Sequence, residues 1–221
     1  MSLISITRRL GMAAVCVIVV GAVAALTGCG KPATEKSGDN RTLTATIGYP
    51  EPHTIFAPGG GGGGPGFSGS KVLERLARYN ADQTFSPVLA ESWGLSADGK
   101  VLTIRLRQNV KWHDGRPFTA DDVAWTILKY WKPFYPQTIL DFLSGVDIVN
   151  PHEVVVRFDR PVPEFSVQYL LADATNYILP KHIYDGTDIL LNPANNAPVG
   201  TGPWKFSKWV RGSYAEFVKN P

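Results

Sequence analysis

The chain has 221 residues, 44% of them hydrophobic and 19% charged, with a mean hydropathy of −0.05. That balance excludes a disordered chain, and it excludes a polytopic membrane protein because only one apolar run approaches spanning length. The net charge of +3 falls on scattered Lys and Arg, without the basic stripe that phosphate binding needs, so no nucleic-acid partner is expected.

Arg8-Arg9 precede an uncharged apolar run from Leu10 to Leu26, and small residues close it. A basic start, an apolar middle and small residues at the end predict an export signal over residues 1–28. Leu26-Thr27-Gly28-Cys29 resembles the bacterial lipobox, in which small residues admit the peptidase and the thiol takes the lipid. The competing reading is an uncleaved membrane anchor. A twin-arginine route is also open from Thr7-Arg8-Arg9-Leu10, though Gly11 weakens it. Cys29 is therefore the expected lipidation site, holding the chain at the outer face of the cell membrane or in the periplasm. Removing the signal leaves twenty basic against nineteen acidic residues. The two cysteines are Cys16 and Cys29, so processing leaves no disulfide and no Cys-based zinc site. The polar stretch 29–40 reads as a flexible tether.

A first strand is predicted from Leu43 to Gly48, where Leu43, Ala45 and Ile47 alternate with threonines. The glycine tract from Pro58 to Gly66 follows. Gly64-Pro65-Gly66-Phe67-Ser68-Gly69 formally matches a dinucleotide-binding fingerprint. Prolines separate it from the preceding strand, and a tract this rich in glycine matches by chance, so it reads as a surface loop and no cofactor is expected. Val72, Leu73, Leu76 and Tyr79 share one helical face, predicting a helix from Lys71 to Tyr79. Asp98-Gly99 is a hairpin turn leading into a half-buried strand, Val101 to Arg107. Asp114-Gly115 marks a second turn. Thr119 caps a helix running to Trp131, with Val123, Ile127, Leu128 and Trp131 inward and Pro133 as its stop. Glu153 to Asp159 alternates again. Strands and helices mix without a regular repeat, which indicates an α/β (mixed α+β) fold.

Catalytic chemistry finds little support. His113 reads as a hairpin residue, and His53, His152 and His182 have no metal-ligand spacing. Asp121-Asp122 compensate a helix dipole. Ser68, Ser70 and Ser92 lack a nucleophile elbow. The chain is not expected to be an enzyme or to hold a resident metal.

Several blocks together carry a resemblance. They are Ser86-Pro87-Val88-Leu89-Ala90-Glu91-Ser92-Trp93, Asp98-Gly99-Lys100, Leu102 to Arg107, Val110-Lys111-Trp112-His113-Asp114-Gly115 and Phe118-Thr119-Ala120-Asp121-Asp122-Val123. With Pro180-Lys181-His182 and Pro198-Val199-Gly200-Thr201-Gly202-Pro203-Trp204-Lys205-Phe206, they resemble the bacterial extracellular solute-binding proteins of family 5, the peptide- and nickel-binding components of ABC importers. The similarity covers roughly residues 42–221. It implies a periplasmic-binding-protein-like type II fold in which two lobes close on a solute. Residues 41–70 would open the first lobe, 71–165 would form an inserted subdomain, and 166–221 would return to the first lobe. Relatives are about twice as long, so the second lobe is expected to be missing and the chain reads as a fragment or truncated gene. The glycine tract also departs from the family pattern.

The implied function is capture of oligopeptides, dipeptides or a related small solute, as a monomer, for ABC permease subunits. Nickel binding and a truncated surface lipoprotein with a signalling role are the alternatives. Because ligands gather near strand ends, the ligand candidates are Tyr49, Glu51, His53 and Pro58, then Asn176 and Tyr177 on the return segment.

Overall fold

The computed structural model describes residues 42–43, 53–58 and 69–221, all within one compact unit. The first strand, β1, is Thr42–Leu43 and pairs antiparallel with the last, β9, Tyr214–Lys219. β9 pairs in turn with β8, Trp204–Val210, giving a three-stranded sheet of order β1-β9-β8. The remainder of the strand expected through Gly48 lies outside the described residues.

The helix expected from Lys71 to Tyr79 is corrected. Residues 69–72 are helical (α1), but Ala77–Tyr79 form a strand, β2, antiparallel to β3, Phe85–Pro87. The turn between them explains the change. The Asp82 carboxylate accepts from the Thr84 amide at 3.1 Å and its hydroxyl at 2.6 Å. Gln83 takes the left-handed conformation with φ 66°. Such a turn draws 77–79 into a hairpin. Leu73 and Leu76 remain buried, at 2% and 0% exposure, so the apolar spacing found the core although it misidentified the element.

A four-stranded antiparallel sheet follows, with β4 (Ala90–Leu95), β5 (Val101–Leu106), β6 (Leu143–Asn150) and β7 (Glu153–Phe158) in the order β4-β5-β7-β6. Asp98-Gly99 makes the β4–β5 turn as expected. Gly99 has φ 70°, and the Ser96 hydroxyl accepts from the Val101 amide at 2.9 Å. Leu102, Ile104 and Leu106 on β5 and Val154, Val156 and Phe158 on β7 are all buried. Their alternation is the period-two pattern of a sheet with one covered face.

The covering element is a composite helix. α2, Ala120–Trp125, runs into a π-helical turn, Thr126–Trp131, and then α3, Lys132–Phe134. Pro133 therefore does not stop the helix; it lies in the first turn of α3. The widened turn, in which the Lys132 amide bonds to Ile127 O, accommodates a residue that lacks the amide an α-helical ladder needs. Val123, Ile127 and Trp131 face inward as expected, but Leu128 is 40% exposed, and Tyr130 takes a buried place instead. α2 packs on β6 and β7. Beyond the sheet come α4, Glu164–Ala172, and α5, Lys181–Tyr184.

Candidate functional site

Two features organise the surroundings of the return segment. One is a backbone latch. His113 N–H donates to Gly200 O at 2.8 Å, while Gly202 N–H donates to Val72 O at 2.9 Å. The His113 ring uses both nitrogens on the same strip: Gly200 N–H approaches Nδ1 at 3.3 Å, and Nε2 lies 2.8 Å from Gly202 O. That pairing fixes the neutral tautomer with the proton on Nε2, and burial lowers the ring's pKa below its usual value. A Cβ on Gly200 would meet Val72 O at 1.8 Å, so only glycine permits this approach. His113 is thus a structural residue.

Asp122 has a comparable role. Its carboxylate accepts from Thr119 N at 3.0 Å, from Lys181 N at 3.0 Å and from Trp112 Nε1 at 3.2 Å. Burial pushes its pKa up, against those three hydrogen bonds. Asp122 therefore does more than compensate the helix dipole, because it ties the hairpin, the helix start and α5 together. Beside it His182 Nε2 lies 2.6 Å from Asp114 Oδ2.

The second feature is a cavity of about 690 Å³, within the range of about 300–1,000 Å³ usual for small-molecule sites. One wall comes from the segment after α3, where Tyr135, Ile139 and Phe142 supply apolar surface and Gln137, Thr138 and Asp141 supply polar groups. The facing wall is α4, which contributes Phe165, Ser166, Tyr169 and Leu170. Asp173, Thr175 and Asn176 close the end between them. Gln137 has φ 62°, and its amide donates to Asp141 at 3.0 Å. Left-handed backbone in a residue other than glycine stores strain, and such strain gathers at ligand sites.

Hydrogen bonds hold the cavity's end. The Tyr135 hydroxyl donates to Thr175 O at 3.1 Å and lies 2.9 Å from the Tyr130 hydroxyl. Asp173 accepts from both the amide and the hydroxyl of Thr175, at 2.9 and 2.5 Å. The negative charge of Asp173 beside Tyr169 raises that phenol's pKa. Asn176 is 3% exposed, and its side-chain amide donates to Leu170 O at 2.8 Å. Its Oδ1 and His152 Nδ1 are buried side-chain atoms without a hydrogen-bond partner among the described residues.

The ligand candidates separate accordingly. Tyr49 and Glu51 lie outside the described residues, as does Cys29. His53 is exposed and its carbonyl accepts from Arg211 at 3.0 Å, while Pro58 is buried. Neither lines the cavity. Asn176 does line it. Tyr177 is 4% exposed and turned to the core, with its ring 6.0 Å from Phe56 and its carbonyl accepting from Trp131 Nε1 at 3.2 Å. The wall from Tyr135 to Phe142 and the face of α4 were missed. Their sequence signal was an aromatic-rich, turn-forming stretch directly after Pro133, which reads equally well as a loop. Among the described residues, no three His, Cys, Asp or Glu side chains gather as a metal site requires, and no helix is long and apolar enough to cross a membrane.

Comparison with known proteins places the chain. The di/tripeptide-binding protein 2 of Pseudomonas aeruginosa is 32% identical over 173 residues, spanning 65% of this chain and 32% of the relative. The oligopeptide-binding protein AppA of Bacillus subtilis, solved with a nonapeptide, superposes with a TM-score of 0.65 at 25% identity, covering 79% of this chain and 35% of AppA. NikZ of Campylobacter jejuni, solved with Ni(L-His), gives a TM-score of 0.61 at 30% identity, covering 76% of this chain and 33% of NikZ. The chain thus spans about a third of the length of these relatives, and its mixed α/β fold matches part of the periplasmic-binding-protein type II architecture. The model of "Bacterial extracellular solute-binding proteins, family 5 Middle" matches residues 84–221, more than half of the chain. The chain therefore belongs to the family 5 bacterial extracellular solute-binding proteins.

Proposed function

We propose that this chain is the solute-capturing part of an ABC importer, taking up peptides or a related small solute and delivering them to permease subunits without covalent chemistry. The observation that carries the reading is the cavity between the 135–142 segment and α4, with aromatic residues in both walls and a few polar groups in the walls and at the closed end. Apolar surface supplies affinity there, and the few polar groups orient the solute. The relatives named above, solved or named with peptides or a nickel–histidine complex, support the same reading.

In this proposal residues 41–70 and 166–221 build one lobe and residues 71–165 an inserted subdomain. The pairing of β1 with β9 supports the first part, and the containment of the four-stranded sheet within 90–158 supports the second. Residues 1–28 serve as the export signal, 29–40 as the tether, and Cys29 carries the lipid that holds the monomer outside the cell membrane.

The test is thermal unfolding of the full chain with a degenerate dipeptide pool and, separately, with Ni(L-His). A solute at a hundred times its Kd stabilises by about 2.7 kcal/mol, which corresponds to a rise of roughly 5–10 °C for a chain of this size. Phe142→Ala should shrink that rise. No rise with either solute class overturns the proposal.

A further inference from the structure

Charge is unevenly spread over the described residues. The hairpin of β8 and β9, residues 204–219, carries four basic residues, Lys205, Lys208, Arg211 and Lys219, against one acid, Glu216. The other described residues carry thirteen basic against fifteen acidic. One hairpin thus holds a net charge of +3, and the rest of the described fold −2. The two faces of the hairpin also differ. Trp204, Phe206, Trp209, Ala215 and Phe217 pack with Ile55 and Val72. Strand alternation therefore turns Lys205, Lys208, Val210, Tyr214 and Glu216 to the opposite, outer face. There Val210 and Tyr214 sit opposite each other across the strands, 42% and 47% exposed. Lys208 Nζ lies 5.4 Å from the Tyr214 ring and 3.4 Å from Glu216. At the tip Arg211 stacks on the Trp209 ring at 3.6 Å, and residues 210–214 are all exposed.

We propose that the outer face of the β8–β9 hairpin docks on an anionic lipid surface. The inference goes beyond solute capture and does not depend on what the cavity binds. Cations interleaved with aromatic and aliphatic side chains suit a headgroup boundary, where rings and alkyl stems reach the apolar edge and charges stay among the headgroups. Charge complementarity makes the surface anionic. Three net charges fall short of the dense basic stripe that a nucleic acid needs, and the Val210–Tyr214 pair gains nothing from a soluble polyanion. A lipid surface uses both features. The order of the chain agrees. Residues 29–40, proposed above as the tether, lead towards β1, and β1 pairs with β9 at Thr42 and Val218. The tether thus joins the fold at the sheet that carries the basic face. β8 spans about 20 Å of strand, so a face laid flat holds its cations within the Debye length of about 10 Å from the headgroups.

The experiment mixes the full chain, without solute, with vesicles of phosphatidylcholine alone or with about one-third phosphatidylglycerol added. Deuterium exchange reads the site directly. Amides of residues 205–214 should slow by about fivefold or more on the anionic vesicles and stay unchanged on the neutral ones, and high salt should abolish the effect. This signal is local to the hairpin, so insertion of the apolar run at residues 10–26 does not imitate it. Lys205→Ser with Lys208→Ser should remove the protection. The exposed pair Arg116→Ser with Lys129→Ser changes the net charge equally and should leave the protection in place. Val210→Ser with Tyr214→Ser should weaken it while its salt dependence persists. Unchanged hairpin exchange on anionic vesicles, equal slowing on both vesicle kinds, or equal loss from the two basic pairs would overturn the inference. Slowing by heparin and not by vesicles would overturn it as well and point to a soluble polyanion. Solute capture is read separately, from thermal unfolding, and stands or falls without these results. Circular dichroism of each variant checks that lost protection is not lost folding.

Discussion

At the scale of single residues, burial and backbone partners decide what titrating groups do here. His113 illustrates this. Desolvation lowers its pKa from the ordinary value of 6.5, so the folded chain holds fewer protons on this ring than the unfolded chain does. Stability from this group is complete above about pH 6.5 and is lost as pH falls through the lowered pKa. Protonating Nδ1 would also turn it into a donor facing the Gly200 amide. Glu74 and Asp122 act with the opposite sign. Burial raises both pKa values, and their destabilising contribution is relieved as pH falls towards the carboxylate range. We expect the urea midpoint of the parent chain to fall more steeply between about pH 6.5 and 5 than that of His113→Gln. Parallel curves would contradict the assignment.

At the scale of elements, the two inner strands of the four-stranded sheet were the most legible part of the sequence, while β4 and β6 were not read as strands. β5 and β7 lie in its interior, and their alternating Val, Leu and Ile residues are one periodic signal seen twice. Ile104→Ala on β5, at 0% exposure, should cost about 2–5 kcal/mol. Ile148→Ala on the edge strand β6, at 45% exposure, should stay within about 0.5 kcal/mol; urea titration of the two variants measures the contrast. Less legible were elements in which tertiary partners override local spacing. Residues 71–79 carry a helical apolar pattern, yet the Asp82 turn recruits 77–79 into a hairpin. Pro133 looks like a stop, yet the π-helical turn carries the chain past it. The cavity was legible only at Asn176. Its remaining walls come from two segments some thirty residues apart, and neither has a pattern of its own that distinguishes a cavity wall from a loop or an ordinary helix face.

At the scale of the whole molecule, two cores of unequal size are found among the described residues. The larger is the core of the four-stranded sheet and its helices. The smaller gathers Ile55, Val72 and Phe217, with Trp204, Phe206 and Trp209 packed against it. A small satellite core opens more readily than a large one. Amides of β8 and β9 should therefore exchange with deuterium before those of β5 and β7; equal protection would show that the two sheets open as one, and the reverse order that the smaller core is the more stable. The latch at Gly200 and Gly202 adds a temporal consequence. Any chain that emerges N-terminus first, from a ribosome or from an export channel, can pair β4 to β7 as soon as residue 158 is out. The carbonyl of Val72 must then wait for the forty-four residues from Asp159 to Gly202 before it finds its donor. During that interval Val72, Leu73 and Leu76 present apolar surface with no cover from the return segment. This is the stage of biogenesis at which a holdase would have something to grip.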